Sequence, residues 1–536
     1  RRRRRGVRRM ARRHRVYRQI EGKKRYEHRA KTIVSAAILV IILAFPISVY
    51  KARNPAAINL PAAMDVAQVA RNLARGGGFT TNILRPGLYA SLPRLTKPPD
   101  IVNPPLHVWL LARLPGMKRG TILSTPDSTV TNFSSFFYLL TALLLFLLER
   151  RLSGGQTLAI ASLIYLFSVP MLHSAVSGTG ETLSAAMVTL LMLMISVDSN
   201  KSFLYSFVVG AVLGACYLTS YVFLVLLLPL IIHKNAVGEE GRFRHIAAML
   251  VGLSAVSVPW MVRNLHFGAN ALIAQPFSSI FLGGERPPQG PAAGGGVYLH
   301  MANYYGKLIN NYSASCVLGF FLISPVVQSH GQGIGRVKHF LWYGLGAVIL
   351  FSLLGQGDTE AMGAFLPGAI LVGSLTFQEL IQRYRSDSPL VKSRLTVLFI
   401  ALNVLPFVSA LMATPPSAAA YRWHENRLRT MADMHSRMHA GEILMTNAPE
   451  WMAYYGEFNT LPLPADGAEL SRWEQAFGQL RFAAVCPYGS VEGVAKMILK
   501  QHVVPAWFLS EKAQVYPGKE VFFSAADNDE AMVVTR

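Results

Sequence analysis

At 536 residues, with 51% of them hydrophobic and a mean hydropathy of +0.32, the chain has the composition of a polytopic membrane protein rather than of a soluble enzyme or a disordered chain. The net charge of +23 is uneven, because residues 1–31 hold 16 Lys/Arg against two Glu. A basic block abutting an apolar run reads as a positive-inside anchor that can touch anionic lipid, and nucleic acid is not expected as a partner. Three scattered cysteines exclude a disulfide framework.

In chain order, residues 1–32 form a basic cytoplasmic tail, and 33–50 form a first span retained as a signal anchor. The polar segment 61–109 follows. Pro61 can open a short helix in which Val66, Val69, Ala70 and Leu73 fall at i, i+3, i+4 and i+7. Asp65, Gln68 and Asn72 then project from another face, and Gly76-Gly77-Gly78 stops the helix. Residues 106–114 are apolar but too short to cross a bilayer. Further spans are expected at 133–148, 158–172, 183–197, 203–218, 221–232, 246–260, 315–327, 340–354, 362–377 and 395–412, about eleven in all. Lys and Arg gather in alternate connections, at Arg150-Arg151, Lys201, Lys234 with Arg242 and Arg244, Arg336 with Lys338, and Arg383 to Arg394. That asymmetry predicts a cytoplasmic N-terminus and external loops at 51–130 and 261–312. The Gly/Pro run 283–296 inside the second loop is a candidate lid. Residues 33–413 thus form the transmembrane part.

After Thr414-Pro415-Pro416 the composition becomes that of a soluble domain, 414–536. Strand patterns at 443–446, 460–463, 482–486 and 521–524 alternate with helix patterns at 449–455, 468–480 and 491–501. This predicts a small external, periplasmic α/β domain.

Under that topology Asp65, Asn103, His107, His173, Glu181, Arg263, Asn264, Asp358 and Glu360 all fall on the outer side. Ionisable groups at membrane depth are costly and usually functional or paired. Bland readings stand beside this one. Asp65 can be a solvated helix residue, Glu181 a helix N-terminal acid, Arg263-Asn264 an interfacial anchor, the histidines packing residues, and Asp358 with Glu360 turn formers. No paired-cysteine motif, HExxH, GKS/T P-loop or GxSxG elbow occurs.

The order of motifs resembles a family. Asp65, then Ala70-Arg71-Asn72-Leu73-Ala74 and Gly76-Gly77-Gly78-Phe79, is similar to the first-loop pattern of polytopic GT-C glycosyltransferases. The bacterial group related to protein mannosyltransferases and the lipid A aminoarabinose transferase is the narrower match. Asn103-Pro104-Pro105-Leu106-His107-Val108-Trp109 resembles its "HPPLY" stretch, and Pro259-Trp260-Met261-Val262-Arg263-Asn264 with Phe267-Gly268 resembles "PWxxRNxxxFG". Gly178 to Leu183, Tyr217-Leu218-Thr219, and Ile443 to Glu450 with Tyr454-Tyr455 follow in the family's order. Asn103 stands where His is usual, Ser220 where a basic residue is common, and Asn447 where Asp is common.

The resemblance implies a GT-C-like, all-α polytopic fold with a C-terminal external α/β domain. It implies a glycosyltransferase that uses a polyprenyl-phosphate-linked sugar and an envelope lipid, glycan or protein acceptor. Asp65 is then the catalytic base. Arg263, with Lys97 and Arg94 behind it, is the candidate for the donor phosphate. Asn103, His107 and Asn264 would line the substrate site, while Glu181 and Asp358 would orient sugar hydroxyls or hold a divalent ion. A membrane translocase for lipid-linked glycan, or an inactive envelope-assembly scaffold, are the alternatives.

Overall fold

In a computed structural model, the described residues are 44–53, 60–85, 98–119, 126–153, 159–197, 202–236, 242–267, 316–327, 332–354, 360–383, 388–412, 441–464, 466–477, 482–485, 520–524 and 531–534, with a few single positions. The basic tail, the Gly/Pro run 283–296, the helix expected at 491–501, and Arg94, Lys97 and Asp358 lie outside them.

A helix over residues 44–53 carries the end of the first apolar run. The polar segment folds into two short helices, α1 (Pro61–Ala74) and α2 (Pro105–Ala112), each with a proline in its first turn. There the missing N–H costs nothing and the fixed φ suits the helix. Gly76 and Gly78 have φ of 83° and 76°, the left-handed conformation that ends α1.

The apolar helices are α3 (Asp127–Leu152), α4 (Ile160–Leu166), α5 (Val169–Ser177), α6 (Glu181–Ser196), α7 (Phe203–Thr219), α8 (Leu227–Ala236) after a 3-10 turn at Tyr221–Leu226, and α9 (Arg242–His266). They continue as α10 (Cys316–Ile323), α11 (Gln332–Leu354), α12 (Glu360–Gly363), α13 (Leu366–Arg383) and α14 (Pro389–Met412). Among the described residues, four helices are long and apolar enough to cross a membrane, and α4–α5, bent by 52°, makes a fifth if taken as one span. The protein is a multi-pass membrane protein. The single span expected over 158–172 is in fact this bent pair. Pro170, in the first turn of α5, cannot donate to the preceding turn, so the helix restarts there in a new direction.

One buried cluster runs through α3 to α7, α11, α13 and α14, built from Tyr138, Leu145, Tyr165, Leu191, Phe223, Phe340, Phe365 and Leu371 among others. Exposed large side chains such as Phe136, Leu204, Val251, Val397 and Leu405 face outward, as suits a lipid-facing surface. α7 and α9 cross so closely that a Cβ on Gly210 would collide with the Met249 carbonyl, and one on Gly252 with the Phe207 carbonyl.

The C-terminal region holds a five-stranded sheet in the order β2-β1-β3-β4-β5, from β1 (Ile443–Thr446), β2 (Asn459–Pro462), β3 (Phe482–Val485), β4 (Glu520–Ser524) and β5 (Ala531–Val534). The first four strands in that order run parallel, and β5 is antiparallel to β4. The sequence pattern had not predicted β5. α15 (Pro449–Tyr455) connects β1 to β2, as parallel pairing requires, and α16 (Gly467–Phe477) follows β2. The edge of β2 is covered by the first loop. Thr460 donates to the Asn82 carbonyl at 2.8 Å and accepts from Leu84 at 2.7 Å.

α15 also packs on α1 through one buried side chain. Arg71, 2% exposed, donates from Nη1 to Tyr454 O at 2.6 Å and from Nη2 to Ala453 O at 3.0 Å. These are last-turn carbonyls of α15, where the helix supplies no partner and cations are favoured. Tyr454 and Tyr455 then direct both hydroxyls at Asp127, the first residue of α3, at 2.7 and 3.0 Å. Arg71→Met should therefore strand two buried carbonyls and lower stability by about 2–4 kcal/mol. Arg75→Met, at the half-exposed partner of Glu457, should change it by less than about 1 kcal/mol. Melting temperature and protease sensitivity of the C-terminal region in detergent would read both.

Candidate active site

The polar face of α1 grips the chain that follows it. Gln68 Nε2 donates to Thr81 Oγ1 at 2.7 Å and to Asp65 Oδ1 at 3.2 Å, while Gln68 Oε1 accepts from Asn82 N at 3.0 Å. Asn72 Nδ2 reaches Thr80 O at 3.1 Å and Asn82 Oδ1 at 2.8 Å. Residues 79–81 and 98–100 then pair antiparallel. Thr81 N donates to Pro98 O at 3.0 Å, and Asp100 N to Phe79 O at 2.9 Å.

That ladder carries Arg85 and Asp100 to Asp65. Arg85 Nη2 forms a short ion pair with Asp65 Oδ2, and its Nη1 lies 3.5 Å from Asp100 Oδ1. Asp100 is wholly buried. Its Oδ1 accepts from Val102 N at 3.1 Å and its Oδ2 from Asn103 Nδ2 at 2.8 Å, a turn closed by the side chain. Burial pushes the Asp100 carboxyl above the usual carboxylate range, Asp65 nearby adds to this, and Arg85 with the two hydrogen bonds opposes it. Glu450, at the start of α15, lies within electrostatic reach of Asp65 and Arg85, and burial pushes its carboxyl up as well.

Arg263, in the last turn of α9, closes the group from the membrane side. Its Nη1 donates to Asp100 O at 2.7 Å and to Asn264 Oδ1 at 2.8 Å, and its Nη2 to Phe79 O at 3.1 Å. The guanidinium lies 4.3 Å from the Trp260 ring centroid and 5.0 Å from those of Phe79 and Phe267. Trp260 Nε1 donates to Tyr221 OH at 2.8 Å, which in turn donates to Asn103 O at 3.3 Å. Asp65, Asn103, Arg263 and Asn264 therefore belong to one connected network. The sequence had not pointed to the two residues that join it, Arg85 and Asp100. The basic character of the loop was the available signal for Arg85, and an Asp three residues before Asn103 the one for Asp100.

His107 and Glu181 sit beside that network. The His107 ring is buried on α2 and stacks on Phe133 at 5.3 Å, and a Cβ on Gly180 would stand 2.7 Å from its Nδ1. Among the described residues its Nε2 has no hydrogen-bond partner. Glu181 follows Gly180, accepts a short hydrogen bond from Ser174, and packs against Gly363 of α12. His173 is half-exposed on α5, with Nδ1 3.5 Å from Ser177 Oγ. Among the described residues no three His, Cys, Asp or Glu side chains gather closely enough to hold a metal ion.

No family model and no curated protein matches the sequence. Solved structures do match the fold. ArnT from Cupriavidus metallidurans bound to undecaprenyl phosphate aligns over 91% of this chain and 93% of its own, with a TM-score of 0.56 at 13% identity. Its apo form aligns over 92% and 93%, with a TM-score of 0.54 at 13% identity. The chain shares its fold with ArnT. An oligosaccharyltransferase from Archaeoglobus fulgidus aligns more loosely, over 79% of this chain and 64% of its own, with a TM-score of 0.49 at 11% identity. Within this fold, the network from Asp65 to Arg263 lies where the first loop meets the C-terminal end of α9.

Burial without a partner pushes His107 down to about 4. The folded state thus favours the neutral ring, and between pH 6.5 and about 4 the unfolded chain binds the extra proton. The contribution is fully present above pH 6.5 and is lost as pH falls, on the order of 3 kcal/mol at the acid end. His107→Phe, which keeps the stacking on Phe133, should flatten this part of the melting-temperature profile.

Proposed function

We propose that the protein is an integral membrane glycosyltransferase that moves a sugar from a polyprenyl-phosphate-linked donor to an envelope lipid, glycan or protein acceptor on the external face. The observation that carries the reading is Asp65. This buried carboxylate sits on α1 within a GT-C fold, under a loop pinned to the last turn of α9 at one end of an apolar bundle. The donor's chemistry suits that geometry. A lipid tail needs apolar helices, and a phosphate and sugar need the polar layer at their ends. ArnT bound to undecaprenyl phosphate is the solved example of such a fold with such a lipid.

In this reading Asp65 takes the proton from the acceptor hydroxyl as its oxygen bonds to the anomeric carbon. The bond from that carbon to the phosphate oxygen breaks, and its electron pair leaves with the polyprenyl phosphate. Displacement from the opposite face inverts the anomeric centre. Arg263, Lys97 and Arg94 remain the sequence candidates for stabilising the leaving phosphate. Asn103, His107, Asn264, Glu181 and Asp358 are candidates for the sugar and acceptor, and a divalent ion is a cofactor to be tested. The full topology belongs to the same proposal: a cytoplasmic tail at 1–32, about eleven spans within 33–413, and an external α/β domain at 414–536. The hydrogen-bonded seam between the first loop and β2 supports placing both on one side.

Asp65→Asn should lower sugar transfer from a labelled polyprenyl-phosphate donor by about a hundredfold to ten-thousandfold at matched expression. Near-normal turnover would make Asp65 a structural residue and send the search for the base to Glu181 or Asp358. Impermeant labelling of a tag after Arg536 in spheroplasts should succeed, while a tag before Ile33 should stay protected. The reverse pattern would overturn the topology.

A further inference from the structure

Two guanidinium groups stand in the candidate site, and they are held differently. Arg263 donates to two main-chain carbonyls, those of Phe79 and Asp100, and its flat faces are covered by aromatic rings. Moving it would open the ladder that forms the loop. The ion pairs of Arg85 end on side-chain carboxylates, on Asp65 directly and on Asp100 at 3.5 Å. It is also the outer member of its pair, with 22% of its side chain exposed against 12% for Asp65 and 0% for Asp100. A carboxylate on a side chain can change partners without unmaking the backbone. Asp65 is meanwhile covered on both oxygens, Oδ1 by Gln68 and Oδ2 by Arg85.

We propose that Arg85 binds the donor's phosphate and that, before the donor arrives, it is parked on Asp65. Phosphate binding and the uncovering of Asp65 Oδ2 are then a single exchange. A guanidinium fork fits phosphate as well as carboxylate, so the incoming anion competes for the same donors. Asp100 remains beside Arg85 and limits how far it swings. The exchange makes the site ordered, because the base is uncovered for an acceptor hydroxyl only once a lipid phosphate has drawn Arg85 away. This inference rests on the glycosyltransferase reading above, and it assigns to that site a phosphate ligand outside the motifs that resemble the family.

The test is a binding titration of the full-length protein in detergent with three probes: undecaprenyl phosphate, undecaprenol and inorganic phosphate. Wild type should bind undecaprenyl phosphate at least about tenfold more tightly than undecaprenol. Arg85→Gln should weaken the lipid phosphate by about tenfold and leave undecaprenol unchanged, and Arg85→Lys should fall between, keeping the charge but losing the fork. Asp65→Asn should tighten undecaprenyl phosphate, by up to about tenfold, because it releases the guanidinium. That gain should vanish in the Asp65→Asn, Arg85→Gln double variant. A positioning arginine would give no such gain. Unchanged or weaker binding by Asp65→Asn, in a protein with a normal melting temperature, would overturn the exchange even if Arg85→Gln fails to fold. Inorganic phosphate binding as tightly as the lipid would overturn the lipid source. Wild type that does not distinguish undecaprenyl phosphate from undecaprenol would instead sink the glycosyltransferase reading itself.

Discussion

The buried guanidinium of Arg71 is the joint on which the polar layer of this protein depends. It belongs to the short helix that carries Asp65, and its donors cap the end of the helix that holds Glu450 in its first turn. A charged group so deeply buried is costly unless it is paired. Two carbonyl oxygens with no helical partner repay much of that cost, Glu457 lies 3.6 Å away, and the Tyr454 ring packs against the guanidinium face. Its Nε still has no hydrogen-bond partner among the described residues. Two converging carbonyls match the fork of the guanidinium. It ties segments far apart in sequence into one layer, and the tyrosines of the same helix extend the tie to Asp127 at the start of α3.

The candidate site is built on that layer by backbone pairing rather than by side chains reaching from separate loops. Residues 80–85 are held by α1 on one side and by β2 on another. Arg85 therefore meets Asp65 at a position set by two sets of hydrogen bonds. Arg263 adds a third constraint from the apolar bundle, since its bonds run to the carbonyls on either side of the ladder. Groups placed in this way are held closely. The ion pairs of Arg85 with Asp65 and Asp100 end on side chains, so exchanging them leaves that backbone in place.

Electrostatics set the balance inside the site. Asp65, Asp100 and Glu450 place three carboxyl groups around one guanidinium. Burial raises the latter two, and the Arg85 guanidinium beside them opposes that rise. His107, neutral in its dry pocket, adds no charge. The neighbouring bundle is almost wholly apolar, so fields within the polar layer are weakly screened and a phosphate there would be felt strongly.

Elements whose causes are local were legible in the sequence. Proline in the first turn and Gly76 to Gly78 at the end bounded α1, because backbone sterics act within a few residues. The strand at Ile443–Thr446 and the helix at Pro449–Tyr455 followed from alternation and punctuation in the same way. The apolar runs showed a membrane protein, though not the bend at Pro170, where a hydropathy window averages across the break. Asp65 stood out because its helix has a polar face, and Arg263 because it interrupts an apolar span. The sequence did not say that Arg263 would bond to main-chain carbonyls, or that Arg85 would meet Asp65. Those outcomes depend on which strands of the loop pair and on what covers them. The physical reason is range. Steric preferences of the chain are written residue by residue, whereas the partner of a buried charge is chosen only when the tertiary fold removes water from around it.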